Sequence, residues 1–355
     1  MTTGIVDPII SQNRKSMSLK AIMNKTIMNK TIMNKTILNK KREKNTGAPL
    51  QPSHPKNSGE KKSKERQEKI SGVVSSIAGF LIWGFSPVYW KMLGHVPVFE
   101  ILSHRIIWSF LFFLPLIAWG KKWNELARAL TDLKVMGALV LTTLLIGANW
   151  LGYIWAVNNG HVLQTSLGYY ISPLVSVFLG VFFLKERLKR FQIAAIIIAG
   201  GGVLFLAIHH GSFPWISILL AGTFGLYGMV RKIASVGPVE GLLIETLILA
   251  VPALAFLFYI QSRSEGHFLQ MNAETDFLLI GSALLTGLPL LLFSVGAKRL
   301  RLSTIGFLQY LTPSCTFFLA VFVYDEPFAF AQMVTFAAIW VALAIYSVGM
   351  ILSGK

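Results

Sequence analysis

Cysteine is almost absent. Cys315 is the only one in 355 residues, and it sits in an apolar run. A lone thiol excludes a disulfide within the chain and any metal motif built on cysteine pairs. Charge is scarce as well. Charged residues make up 14% of the chain and apolar residues 54%, with a mean hydropathy of +0.59, whereas an average soluble chain is about 25% charged. A surface this poor in charge faces lipid rather than water. Acidic residues are fewer than basic ones, 16 against 33. The surplus is also uneven. Residues 1–70 hold 16 Lys and Arg against 5 Asp and Glu, which accounts for most of the net charge of +17. The basic balance is therefore a property of the tail, and it does not point to nucleic acid. The sequence lacks a Ser-His-Asp set, an HExxH pair and a Walker loop. No catalytic residue, metal or cofactor is expected.

What the chain has in abundance is long apolar runs. The first five are Gly72–Trp90, Phe99–Trp119, Val135–Val157, Val162–Leu184 and Phe191–Ile208. The second five are Pro214–Val230, Val239–Ile260, Phe277–Ala297, Leu302–Tyr324 and Ala331–Leu352. Most have the roughly 17–25 residues of a membrane-spanning helix. Lipid offers backbone groups no partners, so each must close its own hydrogen bonds as a helix. The runs are too long for outer-membrane strands. The joints between them decide orientation. Lys121, Lys122, Arg128, Lys134, Lys185, Arg187, Lys189, Arg190, Arg231, Lys232, Lys298, Arg299 and Arg301 fall on the side of the tail. The other side holds only Lys91 and Arg263. The positive-inside rule makes the first side cytoplasmic, with both termini on it.

The two sets echo each other. Leu163–Leu188 and Ser303–Pro327 share a proline-interrupted pattern at an offset of 140, with Tyr170, Ser172, Pro173 and Glu186 matching Tyr310, Thr312, Pro313 and Glu326. Trp83-Gly84 and Pro97 recur as Phe224-Gly225 and Pro238 at an offset of 141. Five spans per copy is an odd number, so the second copy enters the membrane upside down, with substrate expected near the repeat interface. The fold class is thus an all-α polytopic membrane protein. It has ten transmembrane helices as two inverted five-helix repeats, residues 71–210 and 211–355, after a disordered basic tail over residues 1–70. The tail carries IMNKT repeats over Ile22–Lys40. It lacks a signal-peptide cleavage pattern, and its composition over Lys44–Lys69 reads as disordered.

Few polar residues interrupt the spans, and these are the candidates for binding or coupling. Glu100, His104 and Arg105 open the second span, with Glu100 and His104 four apart on one helix face. They fit a polar cluster at the outer vestibule for an anionic group or a proton; Arg105 also lies near enough to the interface to snorkel. Glu245, in the seventh span, fits a protonatable coupling residue or a hydrogen-bonded neutral acid, and lies too far toward the cytoplasm to pair with Arg105. Asn149 and Trp150 fit a pocket for an amphipathic molecule, whereas Trp155 and Asn158 fit the outer aromatic belt. Tyr170, Gln309 and Tyr310 flank the helix-kink residues Pro173 and Pro313, which free the carbonyls of Tyr169 and Gln309. Gly200-Gly201-Gly202 suits close helix packing. His209-His210 gives weak support for a metal.

Several motifs occur in an order that resembles a known family: FLIWGFSPVYWK, EILSHRIIWSF, IGANWLGYIWAVNNGH, SLGYYISPLVSVFLG, RLRLSTIGFLQYLTP and VTFAAIWVALAIY. From about Gly72 to the end the chain looks like the EamA family of the drug/metabolite transporter superfamily, and within it the RarD type. The second copy departs from the LKERL ending of the first, with Asp325-Glu326-Pro327 in its place. The resemblance implies a multi-pass carrier of the inner membrane, and the type's association with chloramphenicol sensitivity points to amphenicol-like compounds. The expected function is secondary transport of a small metabolite or drug by alternating access. Expected partners are a small-molecule substrate and the lipid bilayer, with protons and a second copy of the chain as candidates. The rival readings are an intramembrane lipid-modifying enzyme and a non-transporting membrane sensor.

Overall fold

The computed structural model describes residues 57–159, 161–209, 213–325 and 329–353. The IMNKT repeats, His210, Glu326 and Pro327 lie outside the described residues, as does the side chain of Asn158. The chain divides into two units, Met1–Lys61 and Lys62–Lys355, and the membrane body is the second. Its helices are α1 (Asn57–Met92), α2 (Val98–Trp119), α3 (Trp123–Thr131), α4 (Leu133–Asn158), α5 (Val162–Phe182), α6 (Arg190–His209), α7 (Trp215–Ile233), α8 (Pro238–Ser262), α9 (Ala273–Arg299), α10 (Leu302–Gln309), α11 (Leu311–Phe318) and α12 (Phe330–Ser353). A π-helical turn, Leu319–Val323, follows α11. Among the described residues ten segments are long and apolar enough to cross a membrane, and they coincide with the ten expected spans; α3 is extra, and α10, α11 and the π turn together form the ninth.

Three local features differ from expectation. α1 starts at Asn57, so the second half of the stretch read as disordered is helical. No proline or glycine follows Gly59 until Gly72, and Glu60, Lys64, Glu65 and Lys69 stand at four-residue spacing, which supports a helix through i,i+4 charge pairs. α3 was read as part of a joint. Its Leu126 and Ala129 are buried while Trp123 is exposed, the pattern of a short amphipathic helix. The two proline kinks are also unequal. α5 runs unbroken through Pro173. The ninth span instead breaks at Tyr310, whose N–H donates to Phe307 O at 3.3 Å, a tighter three-residue step.

Alternate helix ends gather on two faces. On the face where α1 begins, Arg299 donates to Ser71 Oγ at 3.3 Å, Lys122 pairs with Glu240 at 2.9 Å, and Arg301 donates to Arg187 O at 3.2 Å. This is called the near face. On the far face, Lys91 lies over the Tyr324 ring and His95 meets Thr275 at 3.0 Å. Two near-face lysines are drawn inside. Lys232, ending α7, donates to Ala297 O and Leu300 O at the end of α9, while Lys298, ending α9, donates to Ala234 O at the end of α7. Each ammonium meets the carbonyls and the negative dipole end of the other helix.

Small residues let the spans close on one another. α5 packs along α7, α6 along α12, and α2 between α8 and α9. A Cβ on Gly306 of α10 would lie 2.6 Å from Pro173 O, so α5 and α10 cross there backbone to backbone. Of the three consecutive glycines in α6, only Gly202 is a close approach, with a built Cβ 2.8 Å from that of Ala338. Thr335 Oγ1 also donates to Gly202 O at 2.9 Å. Gly201 faces open space. Matching contacts recur at the repeat offset. Gly84 abuts Cys315 and Thr312, and Gly225 abuts Val175 and Leu179. Lys185 and Asp325, 140 apart, both take positive φ, 54° and 50°, where their spans end.

Candidate functional site

Arg105 is the eighth residue of α2, about 10 Å along the helix from its far-face end. A guanidinium at the centre of a bilayer costs at least ~2.5 kcal/mol without water or partners. Here it is held by neutral groups. Its Nε donates to Thr286 Oγ1 of α9 at 2.8 Å. Its central carbon lies 5.1 Å from the Trp90 ring centre on α1 and 5.0 Å from that of Trp150 on α4, within cation–π range. The Tyr153 and Tyr169 phenols lie close enough to feel its charge. These two rings stand 6.3 Å apart. They remain 37% and 46% exposed although both lie well along spanning helices. Arg105, Trp90 and Trp150 are likewise only partly buried; the space beside the guanidinium, bordered by these residues of α1, α2 and α4, by Tyr169 of α5 and by Thr286 of α9, is called the hollow. Among the described residues no carboxylate lies within 4.0 Å of Arg105.

The acid nearest Arg105 in sequence is engaged elsewhere. Glu100, 1% exposed, accepts from His267 N at 2.7 Å, His267 Nδ1 at 2.9 Å and Phe268 N at 3.2 Å. It therefore fastens the α8–α9 joint onto α2. His104 Nε2 is 4.0 Å from Glu100, and its ring packs on Phe268 at 4.7 Å. The cluster is assembled, but it turns toward the joint and not toward the hollow.

Glu245 is the eighth residue of α8, entered from the near face. It accepts from Thr142 Oγ1 at 2.6 Å and Tyr227 Oη at 3.2 Å, and pairs with Arg231 Nη1 at 3.5 Å. Arg231 Nη2 donates to Pro238 O at 3.0 Å. All four side chains are sealed; Arg231 is 0% exposed and Glu245 2%. Nε and Nη1 of Arg231 reach no acceptor at hydrogen-bonding geometry, so its main compensation is the Glu245 charge. As expected, Arg105 and Glu245 do not pair. The partner that was missed is Arg231. In sequence it reads as one more basic residue in a near-face joint. The available signal is its place directly after an apolar run, four residues from Tyr227 and so on the same helix face.

The remaining candidates divide. Trp150 lines the hollow, while Asn149 beside it donates to Leu220 O at 2.8 Å and Thr223 Oγ1 at 2.9 Å, tying α4 to α7. Tyr170, Gln309 and Tyr310 meet where α5 crosses α10. Gln309 donates to Ser172 Oγ at 2.7 Å and Tyr310 Oη to Tyr170 O at 3.3 Å. These residues join the two echoing spans to each other. Trp155 stacks on His161 and faces Trp215 at the far-face end, and His209 packs on Phe205. Among the described residues no group of three metal-ligating side chains occurs. A separate cleft of about 480 Å³ opens at the near face beside α3, lined by Lys122, Glu125, Arg128, Asp132 and Glu240. Its charges are mixed and partly paired, Lys122 with Glu240, so the hollow at Arg105, whose one cation has no acid, is the better candidate binding site.

The sequence profile of the EamA-like transporter family matches the chain twice, over residues 70–208 and 213–348. The chain is 45% identical to Protein RarD of Salmonella typhi over 282 residues, 79% of this chain and 96% of that protein. It is 43% identical to the uncharacterized transporter YojE of Bacillus subtilis (strain 168) over 289 residues, 80% of this chain and 95% of that one. A solved crystal structure overlays with a TM-score of 0.59 at 18% identity, covering 78% of this chain and 97% of the other. That likeness concerns the fold alone.

Proposed function

The chain belongs to the EamA-like transporter family, and from that membership we propose that it is a secondary carrier of small metabolites or drugs working by alternating access. In this reading residues 71–210 and 211–355 are two five-helix repeats inserted in opposite senses, the near face is cytoplasmic, and the membrane is the inner one. The observation that carries it is an asymmetry between two guanidiniums. Arg105, entered from the far face, lines a hollow with exposed phenols. Arg231, entered from the near face, is sealed by Glu245, Tyr227 and Thr142. Access from one face and closure at the other is what one state of a rocking carrier requires. The inward-open state needs the Arg231–Glu245 pair to separate, and a proton on Glu245 releases its hold on Arg231. Glu245 is therefore the leading coupling residue. Glu100, with both oxygens engaged by the joint, positions that joint.

Flux in proteoliposomes tests this reading, with amphenicol-like compounds first in the panel and product analysis alongside. The expected result is uptake driven by an imposed proton gradient, abolished in Glu245→Gln and reduced in His104→Ala. Full flux in both variants removes them from coupling. A chemically altered lipid or solute, with no flux, would instead favour an intramembrane enzyme.

A further inference from the structure

We propose that the carried solute is an organic anion, and that Arg105 binds its anionic group at the floor of the far-face hollow. This rests on the carrier reading and adds the substrate class. Of the five N–H donors of a guanidinium, one is engaged: Nε–H donates to Thr286. The four Nη–H donors meet no protein acceptor among the described residues. The two indoles that face the guanidinium offer electron density but no counter-charge. Glu100 lies on the same helix, and its oxygens are occupied by His267 and Phe268. The second buried guanidinium shows what this chain does when an arginine is structural, since Arg231 is given Glu245 at 3.5 Å. Arg105 is given no acid, and its side chain stays partly exposed where Arg231 is fully sealed.

The lining specifies the rest of the molecule. A fork of Nη–H donors matches a carboxylate or phosphonate bidentately. Trp150, Tyr153 and Tyr169 then surround whatever is attached to it, and such walls suit a planar or apolar body. A small aromatic or branched monocarboxylate satisfies both. The anion discharges Arg105 when it binds, so the loaded site is close to neutral. A near-neutral site is easier to carry through the midplane than a bare cation.

Matched pairs differing only in charge test the idea on the full chain in phosphatidylcholine vesicles. The pairs are phenylacetate and phenylacetamide, isovalerate and isovaleramide, and benzylphosphonate and its diethyl ester. Thermal stabilisation and flux are both read. The expected result is that at least one acid stabilises the wild type and is carried, at least tenfold better than its neutral partner. Arg105→Gln removes that preference, and Arg105→Lys keeps part of it. The wild-type comparison needs no variant to fold. Neutral partners carried as well as acids overturn the anion assignment and leave the carrier reading standing. No flux of any probe counts against both. If phosphatidylglycerol in the vesicle stabilises the wild type through Arg105 and no soluble acid does so, the guanidinium serves a lipid headgroup and the proposal fails.

Discussion

At Glu245 a single carboxylate holds three side chains from two other helices: Thr142 from α4, and Tyr227 and Arg231 from α7. Removing one partner of a buried ion pair strands the other charge, which costs about 3–5 kcal/mol, whereas replacing both by apolar groups of similar size is often near neutral. Arg231→Met alone is therefore expected to lower the melting temperature sharply in detergent. Arg231→Met combined with Glu245→Leu should recover most of the loss. A double variant as unstable as the sum of the singles would mean that the pair does not act as a unit. This residue scale is also where the sequence was least informative. Glu245 stands out because it interrupts an apolar run. Arg231 hides because basic residues at span ends are expected in water, and only the fold turns its side chain inward. Conversely, Tyr170, Gln309 and Tyr310 stand out for their type and place, yet the structure uses them to hold α5 against α10.

Between elements, glycine is decisive only where backbones meet. Gly306→Ala puts a Cβ 2.6 Å from Pro173 O. A carbonyl on a packed helix cannot give way like a side-chain tip. The expected cost is about 1–3 kcal/mol, as for other overpacked cores, with α5 and α10 pushed apart. Gly201→Ala meets nothing, and the better helix propensity of alanine should stabilise by up to ~1 kcal/mol. Comparing their unfolding midpoints in one detergent checks both, and equal effects would mean the crossing is looser than described. The ten spans were legible because a membrane-crossing helix needs a long apolar run and little else. α3 was not, because nine residues give too short a pattern beside its neighbours. The break at Tyr310 was not legible either, since Pro173 and Pro313 sit in matching sequence and only packing decides which helix gives way.

For the molecule as a whole, the contrast between its two arginines makes a directional prediction. With Cys315→Ser as background, Tyr153→Cys should react with a membrane-impermeant thiol reagent applied to the far face. Thr142→Cys, fully buried beside Glu245, should react from neither face in the resting protein, and from the near face only as the carrier turns over. Faster labelling of Thr142→Cys than of Tyr153→Cys from the near face would reverse the assignment of the open side. The twofold match to one family profile and the recurrence of contacts at the repeat offset were foreshadowed by the echoing motifs. The difference between the two arginines was not, because both read in sequence as cations near span ends and only packing gives Arg231 an acid and leaves Arg105 without one.

The burial of Arg231 also bears on how the protein is made. α7 is synthesised before α8, so it emerges carrying a cation whose counter-charge is not yet there. The α7–α8 hairpin is the smallest piece of this region that carries its own neutralising charge into lipid. The two helices should therefore leave the insertion machinery together, with α7 waiting for its neighbour. In a glycosylation-mapping assay, α7 alone should insert less completely than the hairpin, and Glu245→Ala should erase the difference. Equal insertion with and without α8 would show that the cation reaches the headgroups unaided and pairs only later.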